Sequence, residues 1–214
     1  MILSLTIGTF LSAAAYLWLA IYRESPRWKY ALKPGTMLWI LILAATGALE
    51  NPGAYSWWIL VGLLFSLAGD VFLMLPSDRF VQGLASFLIG HLCYITGIAT
   101  LPPGVPDPLS MIMLGLMAAI AVVFSRLLGP GASREGGKNL RFAVTVYVSV
   151  ISLMVWFALK TAQPLLITGA VIFAVSDAIL GWNRFRRSLA WADYGVMSTY
   201  FTAQWFFALS IHMS

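Results

Sequence analysis

Residues 56–75, SWWILVGLLFSLAGDVFLML, form a run of twenty residues that contains one charge, Asp70. As a helix rising about 1.5 Å per residue, this run is about 30 Å long, which matches the hydrocarbon core of a bilayer. It stops at Pro76-Ser77-Asp78, a breaker that a membrane helix does not continue through. Seven further apolar segments of similar character lie outward from it, at about 2–21, 34–49, 80–100, 108–125, 141–160, 163–182 and 190–211. Breakers separate them at Asn51-Pro52-Gly53 and Pro102-Pro103-Gly104. The glycine-rich stretch from Gly129 to Asn139 reads as a loop.

The composition agrees. Of 214 residues, 60% are hydrophobic and 10% charged, with a mean hydropathy of +0.86. Soluble domains carry about 25% charge. A soluble globular domain, a disordered chain and a disulfide-rich secreted protein are therefore excluded, the last also by the single cysteine, Cys93. The expected fold is all-α: one transmembrane helical domain over 1–214, a bundle of about eight spans. The first segment has no basic leader and is followed by Arg23, Arg27 and Lys29, so it reads as a retained span rather than a cleaved signal.

The net charge of +5 does not point to nucleic acid in so apolar a chain. Arg23, Arg27, Lys29 and Lys33 follow the first segment, and Arg79 follows the third. Arg126, Arg134, Lys138 and Arg141 flank the fifth and sixth, and Arg184, Arg186 and Arg187 follow the seventh. Only Lys160 falls opposite. Eight spans with both termini outside put the other twelve on the cytosolic side, as the positive-inside rule requires. Short loops and this asymmetry suit a bacterial inner membrane.

A repeat is visible between two spans. Gly62, Phe65 and Gly69-Asp70 precede Arg79-Phe80, and Gly169, Phe173 and Ser176-Asp177 precede Arg184-Phe185. Both spans run toward the cytosol, which predicts a four-plus-four parallel duplication.

An ionisable group at membrane depth costs at least about 2.5 kcal/mol and marks function by default. Glu24, Glu50, Asp78, Asp107 and Glu135 sit in loops, and Asp193 lies near a span end. Asp70 and Asp177 do not fit this pattern. Each lies about five residues before the cytosolic end of its span, hence at a similar depth. Two carboxyl groups sharing a site of low dielectric can act as a general acid and a general base. Alternatively, each aspartate pairs with a base such as Lys33 or Arg79.

Other polar groups lie nearby in the pattern. Lys33, before Pro34 at the expected start of span two, either snorkels or holds a lipid phosphate. His91 is deep in span four, as a packing residue or a catalyst, with Tyr94 on its face. Arg141 opens span six, which also holds Tyr147. Tyr200 and Gln204, at i and i+4, share one face of span eight and line a polar cavity or join helices. With only His91 and His212, the sequence predicts no metal site, and no GxSxG elbow, P-loop or dinucleotide fingerprint occurs.

GDVFLML at 69–75, FVQGLASFLIGHLCYI at 80–95, Lys33-Pro34, YVSVISLM at 147–154, GAVIFAVSDAILGWNRF at 169–185 and YGVMSTYFTAQWF at 194–206 together resemble the lysoplasmalogenase (YhhN-like) family of integral membrane hydrolases. The resemblance implies a cofactor-free enzyme that cleaves the vinyl ether of a lysophospholipid, releasing a fatty aldehyde and glycerophosphoethanolamine or glycerophosphocholine. It makes Asp70, Asp177 and His91 the leading catalytic positions, with Lys33, Tyr147, Tyr200, Gln204 and Arg141 as substrate-binding positions. The chemistry suits two carboxyls, because a vinyl ether is labile to acid and passes through an oxocarbenium ion, a problem that glycosidases solve with paired carboxyls on other folds. The competing reading is a proton-coupled transporter or lipid-handling protein using the same aspartates. An intramembrane aspartyl protease fits less well, since Leu67-Ala68-Gly69-Asp70 lacks the first glycine of GxGD.

Overall fold

The computed structural model describes residues 1–213. It contains α1 (Ile2–Ala15), continued by a π-helical segment Tyr16–Tyr22, then α2 (Pro26–Glu50), α3 (Ala54–Met74), α4 (Phe80–Ile98), α5 (Asp107–Thr161), α6 (Pro164–Phe185) and α7 (Ala192–Ser210). Six helical stretches are long and apolar enough to cross a membrane: 2–22 and α2 to α6. Helix α7 falls short because Asp193, Ser198, Thr199, Thr202 and Gln204 lower its hydropathy. The protein is a multi-pass membrane bundle with an all-helical fold.

Helices adjacent in sequence pack against one another, and α7 returns to α2, so α2 to α7 close a ring, with α1 outside against α2 and α7. Prolines start α2 and α6 at their first turns, where their missing N–H costs nothing. Helix α5 ends on Ala162 in the left-handed region (φ 56).

Two boundaries differ from the sequence expectation. Helix α2 begins at Pro26, not near residue 34, so Lys33 is about two turns inside it and Pro34 is internal. The stretch from Gly129 to Asn139, expected as a loop, is helical except at Gly136 (φ −138, ψ 23) and Gly137 (φ 67, ψ −159). A continuous helix of 55 residues would run about 80 Å. The break, with its positive φ suited to glycine, divides α5 into arms over 107–135 and 138–161. The first arm runs beyond the expected span because Gly131 rests directly on α6, where a Cβ would stand 1.9 Å from the Phe185 carbonyl oxygen. Composition flagged the glycines as loop formers; Gly131 instead serves backbone-to-backbone packing, and Gly137 the break.

Close approach also fixes α3 on α4. A Cβ on Gly62 would meet the Tyr94 ring at 2.3 Å, and one on Gly90 would meet the Gly62 carbonyl at 3.1 Å. Small residues at such crossings let membrane helices approach without a hydrophobic driving force. The aromatic centre of the bundle, Phe87, Tyr94, Phe173, Tyr200 and Phe207, is buried around this seam.

Candidate active site

Six helices bring the membrane-depth polar residues into two clusters. Asp70 on α3 is 1% exposed. Lys33 from α2 places Nζ 3.0 Å from its Oδ1, and Tyr200 from α7 donates its hydroxyl to Oδ2 at 2.7 Å. The extra turns at the start of α2 set this register, carrying Lys33 inward to the carboxylate instead of to the headgroups.

Asp177 on α6 accepts a hydrogen bond from the Tyr147 hydroxyl of α5 at Oδ2, 2.7 Å away. His91 Nε2, from α4, stands 3.9 Å from the same oxygen, too far for a hydrogen bond. The other nitrogen, Nδ1, is 2.6 Å from the Phe87 carbonyl. That oxygen can only accept, so Nδ1 carries a proton and, in the neutral imidazole, Nε2 presents a lone pair. Nε2 is buried and has no hydrogen-bond partner among the described residues. The imidazole is fixed by rings on three sides: Tyr147 at 5.4 Å, Phe173 at 4.6 Å and Tyr94 at 6.3 Å, all near perpendicular.

Both carboxyls line one cavity of about 910 Å³. Its wall is polar, with Tyr16, Lys29, Lys33, Ser176, Asn183, Arg184, Asp193 and Tyr200. A second cavity, of about 290 Å³, is apolar, walled by side chains such as Leu84, Met117, Phe124, Ile151 and Val155, together with Tyr147. The two meet at Leu73, Phe80, Phe87, Asp177 and Leu180. Asp177 is the one carboxyl in the wall of the apolar cavity. The arrangement therefore offers a polar chamber and an apolar slot with a carboxyl at their junction, the shape needed by an amphiphile whose reactive bond lies between head and chain.

Two expected residues stand apart. Gln204 is fully buried and accepts from the Tyr94 hydroxyl at 2.7 Å; Tyr94 also lies 3.2 Å from Ser66 Oγ. Neither Gln204 nor Tyr94 lines either of these cavities, so Gln204 braces the bundle behind Tyr200. Arg141 lies on a separate furrow between the arms of α5.

Two residues in the wall were not among the expected site residues. Tyr16 belongs to the π-helical segment, is 4% exposed, and its hydroxyl has no hydrogen-bond partner among the described residues. An interfacial-looking aromatic in a first span gives no signal of facing inward. Arg184 donates to Asp78 at 2.6 Å and to Glu135, and its guanidinium lies 4.5 Å over the Phe80 ring. It ties the α3–α4 loop, the break in α5 and the end of α6 together at the mouth. Arg184 holds the Asp78 carboxyl below the usual carboxylate range by donating that hydrogen bond. Its traces in the sequence were its place on the basic face and in the recurring Arg-Phe pairs, and the two phenylalanines, Phe80 and Phe185, meet edge to face at 5.6 Å.

With this geometry in hand, comparison with known proteins gives a consistent result. A sequence model of the YhhN family matches residues 28–211. A lysoplasmalogenase of Mycobacterium bovis is 34% identical over 191 residues, covering 84% of this chain and 72% of that protein. The Homo sapiens lysoplasmalogenase TMEM86A is 30% identical, covering 94% and 85% respectively. A membrane protein named YhhN from Escherichia coli O157:H7 is 26% identical, covering 97% of this chain and 100% of its own length. No solved structure matches the chain significantly.

Proposed function

The chain belongs to the YhhN family, and from that premise we propose that it is a membrane lysoplasmalogenase, hydrolysing the vinyl ether of 1-alkenyl lysophospholipids to a fatty aldehyde and glycerophosphoethanolamine or glycerophosphocholine. The observation that carries this reading is the position of Asp177 at the junction of the polar and apolar cavities. The alkenyl chain occupies the apolar slot, the glycerophosphate head occupies the polar chamber, and the vinyl ether lies between them, beside Asp177.

The roles follow from the partners. Asp70 faces the Lys33 ammonium at 3.0 Å and serves as a fixed carboxylate. Asp177 has a phenol and a neutral imidazole beside it instead of a cation, and serves as the acid. It gives its proton to the alkene carbon remote from the ether oxygen, and the π electrons form that C–H bond. The adjacent carbon becomes an oxocarbenium ion, stabilised by the Asp70 carboxylate. A water held between His91 Nε2 and Asp177 adds to that carbon and loses a proton to this pair. The hemiacetal then breaks its C–O bond to the glycerol oxygen, which takes the proton now on Asp177, while the hemiacetal hydroxyl returns its proton to the His91–Asp177 pair and becomes the aldehyde carbonyl. Nothing is oxidised or reduced.

The same reading puts eight spans in the bilayer, with each arm of α5 crossing once and both termini outside the cytosol. It relates the two halves by an approximate two-fold axis: Asp70 takes Lys33 and Tyr200 from the second and eighth spans, and Asp177 takes Tyr147 and His91 from the sixth and fourth. Phe80 and Phe185, which correspond across that axis, touch each other. A bacterial inner membrane suits the basic cytosolic face.

The test is aldehyde release by the purified protein from 1-alkenyl lysophosphatidylethanolamine. Release from this lipid, its absence from the saturated 1-alkyl analogue, and its loss in Asp177→Asn are expected. No release by folded protein, with transport of the lipid in proteoliposomes instead, overturns the hydrolase in favour of a carrier.

A further inference from the structure

The furrow that holds Arg141 lies between the two arms of α5 and has a volume of about 530 Å³, within the ~300–1,000 Å³ typical of sites for small organic ligands. One wall is Leu114, Ala118, Ala121 and Val122; the other is Thr145, Ser149 and Leu153. Small side chains on both arms leave the gap unfilled. The hydroxyls of that second wall do not seek partners from a ligand. Thr145 donates to the Arg141 carbonyl, Ser149 to Thr145, and Ser152, beside them, to Val148. What remains toward the furrow is a hydrocarbon surface.

One end of the furrow is different. Arg126 on the first arm and Arg141 on the second both line it, on the side of the break at Gly136–Gly137. Neither guanidinium has a salt bridge or side-chain hydrogen bond among the described residues, whereas Arg184 nearby has two acidic partners. Arg141 reaches across to the first arm because residue 129 is glycine; a Cβ there would stand 3.3 Å from Arg141 Nε. An apolar furrow closed at one end by two uncompensated cations is complementary to an anionic amphiphile. Basic pockets between membrane helices on the cytosolic side suit phosphate headgroups.

We propose that this furrow binds one anionic phospholipid of the surrounding bilayer, its phosphate between Arg126 and Arg141 and one acyl chain along the furrow. The inference does not rest on the hydrolase reading, since the furrow contains neither carboxyl. It adjoins the apolar cavity at Met117 and Ser152, so the bound lipid forms part of the outer wall of that cavity.

The experiment is native mass spectrometry of the full-length, delipidated protein in detergent, offered phosphatidylglycerol and phosphatidylcholine with the same chains in equal amounts. One phosphatidylglycerol per protein is expected, preferred by about fivefold for each arginine engaged. The preference should vanish in Arg126→Gln/Arg141→Gln, whose melting temperature in lipid-free detergent should match that of the parent. Ser149→Leu, which keeps both charges and fills the furrow, should lose the adduct. Equal retention of the two lipids by the parent protein, or an undiminished preference in the double variant, overturns the proposal. Displacement of phosphatidylglycerol by equimolar 1-alkyl lysophosphatidylethanolamine overturns it too, and makes the furrow an access route for substrate.

Discussion

Lys33→Met tests the polar centre of the bundle. Methionine keeps most of the lysine's volume and removes its charge. In the parent, the Lys33 and Asp70 side chains are 8% and 2% exposed and stand 3.0 Å apart. Removing one partner of a buried pair leaves a carboxylate without compensation, at a cost of about 3–5 kcal/mol. The Tyr200 hydroxyl remains on Asp70, and one neutral donor does not replace a cation. For a chain of this size each kcal/mol shifts the midpoint by about 2–4 °C, so the variant should melt about 6–20 °C lower. Lys33→Met/Asp70→Asn removes both charges and should recover most of that loss, since replacing a whole buried pair is often neutral. Thermal denaturation of the four proteins in one detergent completes the cycle. Had Lys33 held only the substrate phosphate, Lys33→Met would raise KM and leave the midpoint alone. An unchanged midpoint, or a double variant no more stable than the single, would refute the ion-pair argument.

Tyr147→Phe deprives Asp177 of its one hydrogen-bonding neighbour and should lower kcat roughly tenfold to a hundredfold, while Tyr200→Phe, which leaves Lys33 on Asp70, should cost less; steady-state aldehyde release separates them. Tyr16→Phe removes a hydroxyl that faces the polar chamber and should raise KM up to about tenfold at nearly constant kcat, with no change in melting. Gly131→Val drives a side chain into the Phe185 carbonyl and should destabilise by at least about 1–3 kcal/mol, read as a lowered midpoint. Asp78 has its folded value depressed by Arg184, so its contribution is present above about pH 4 and lost as pH falls through the lower folded value. Asp78→Asn should therefore destabilise the fold at pH 7 by less than about 1 kcal/mol, the pair being exposed, and the effect should shrink progressively as the pH falls below about 4.

The helices were legible because a bilayer imposes length and apolarity on them directly, and the run from 56 to 75 needs no partner to be recognised. Asp70 and Asp177 were legible for the converse reason, as charges where charge is costly. What sequence could not supply was rotation and register. Gln204 and Tyr200 share a helix face by spacing, yet only Tyr200 reaches the cavity, because Gln204 is taken by Tyr94 across the bundle. Arg141 lies in sequence only six residues from Tyr147 but on the furrow side of its arm. Lys33 was placed at a helix start because Pro34 follows it, as a headgroup residue or a partner for either aspartate; the helix begins at Pro26, and the two turns gained deliver it to Asp70. Gly131 read as loop because only the tertiary contact with Phe185 explains a glycine there.

The two aspartates are close to equivalent in their own sequences, each preceded by a small residue and followed by an apolar turn and an Arg-Phe pair. Their difference comes from what other helices deliver. Helix α2 brings a lysine to one and α4 brings a histidine to the other. A symmetric pair, each carboxyl with its own lysine, would hold two fixed carboxylates and no acid. A pair with no lysine would lack the stable counter-charge that an oxocarbenium ion needs. In the proposed reaction, a lysine beside one carboxyl and an imidazole beside the other supply both functions. Asp177, the acid of the proposed reaction, also borders the apolar cavity, and Asp70 does not. On this argument the catalytic asymmetry lies in residues 33 and 91, and moving the lysine, by Lys33→Met with His91→Lys, should abolish turnover without restoring it at the other carboxyl.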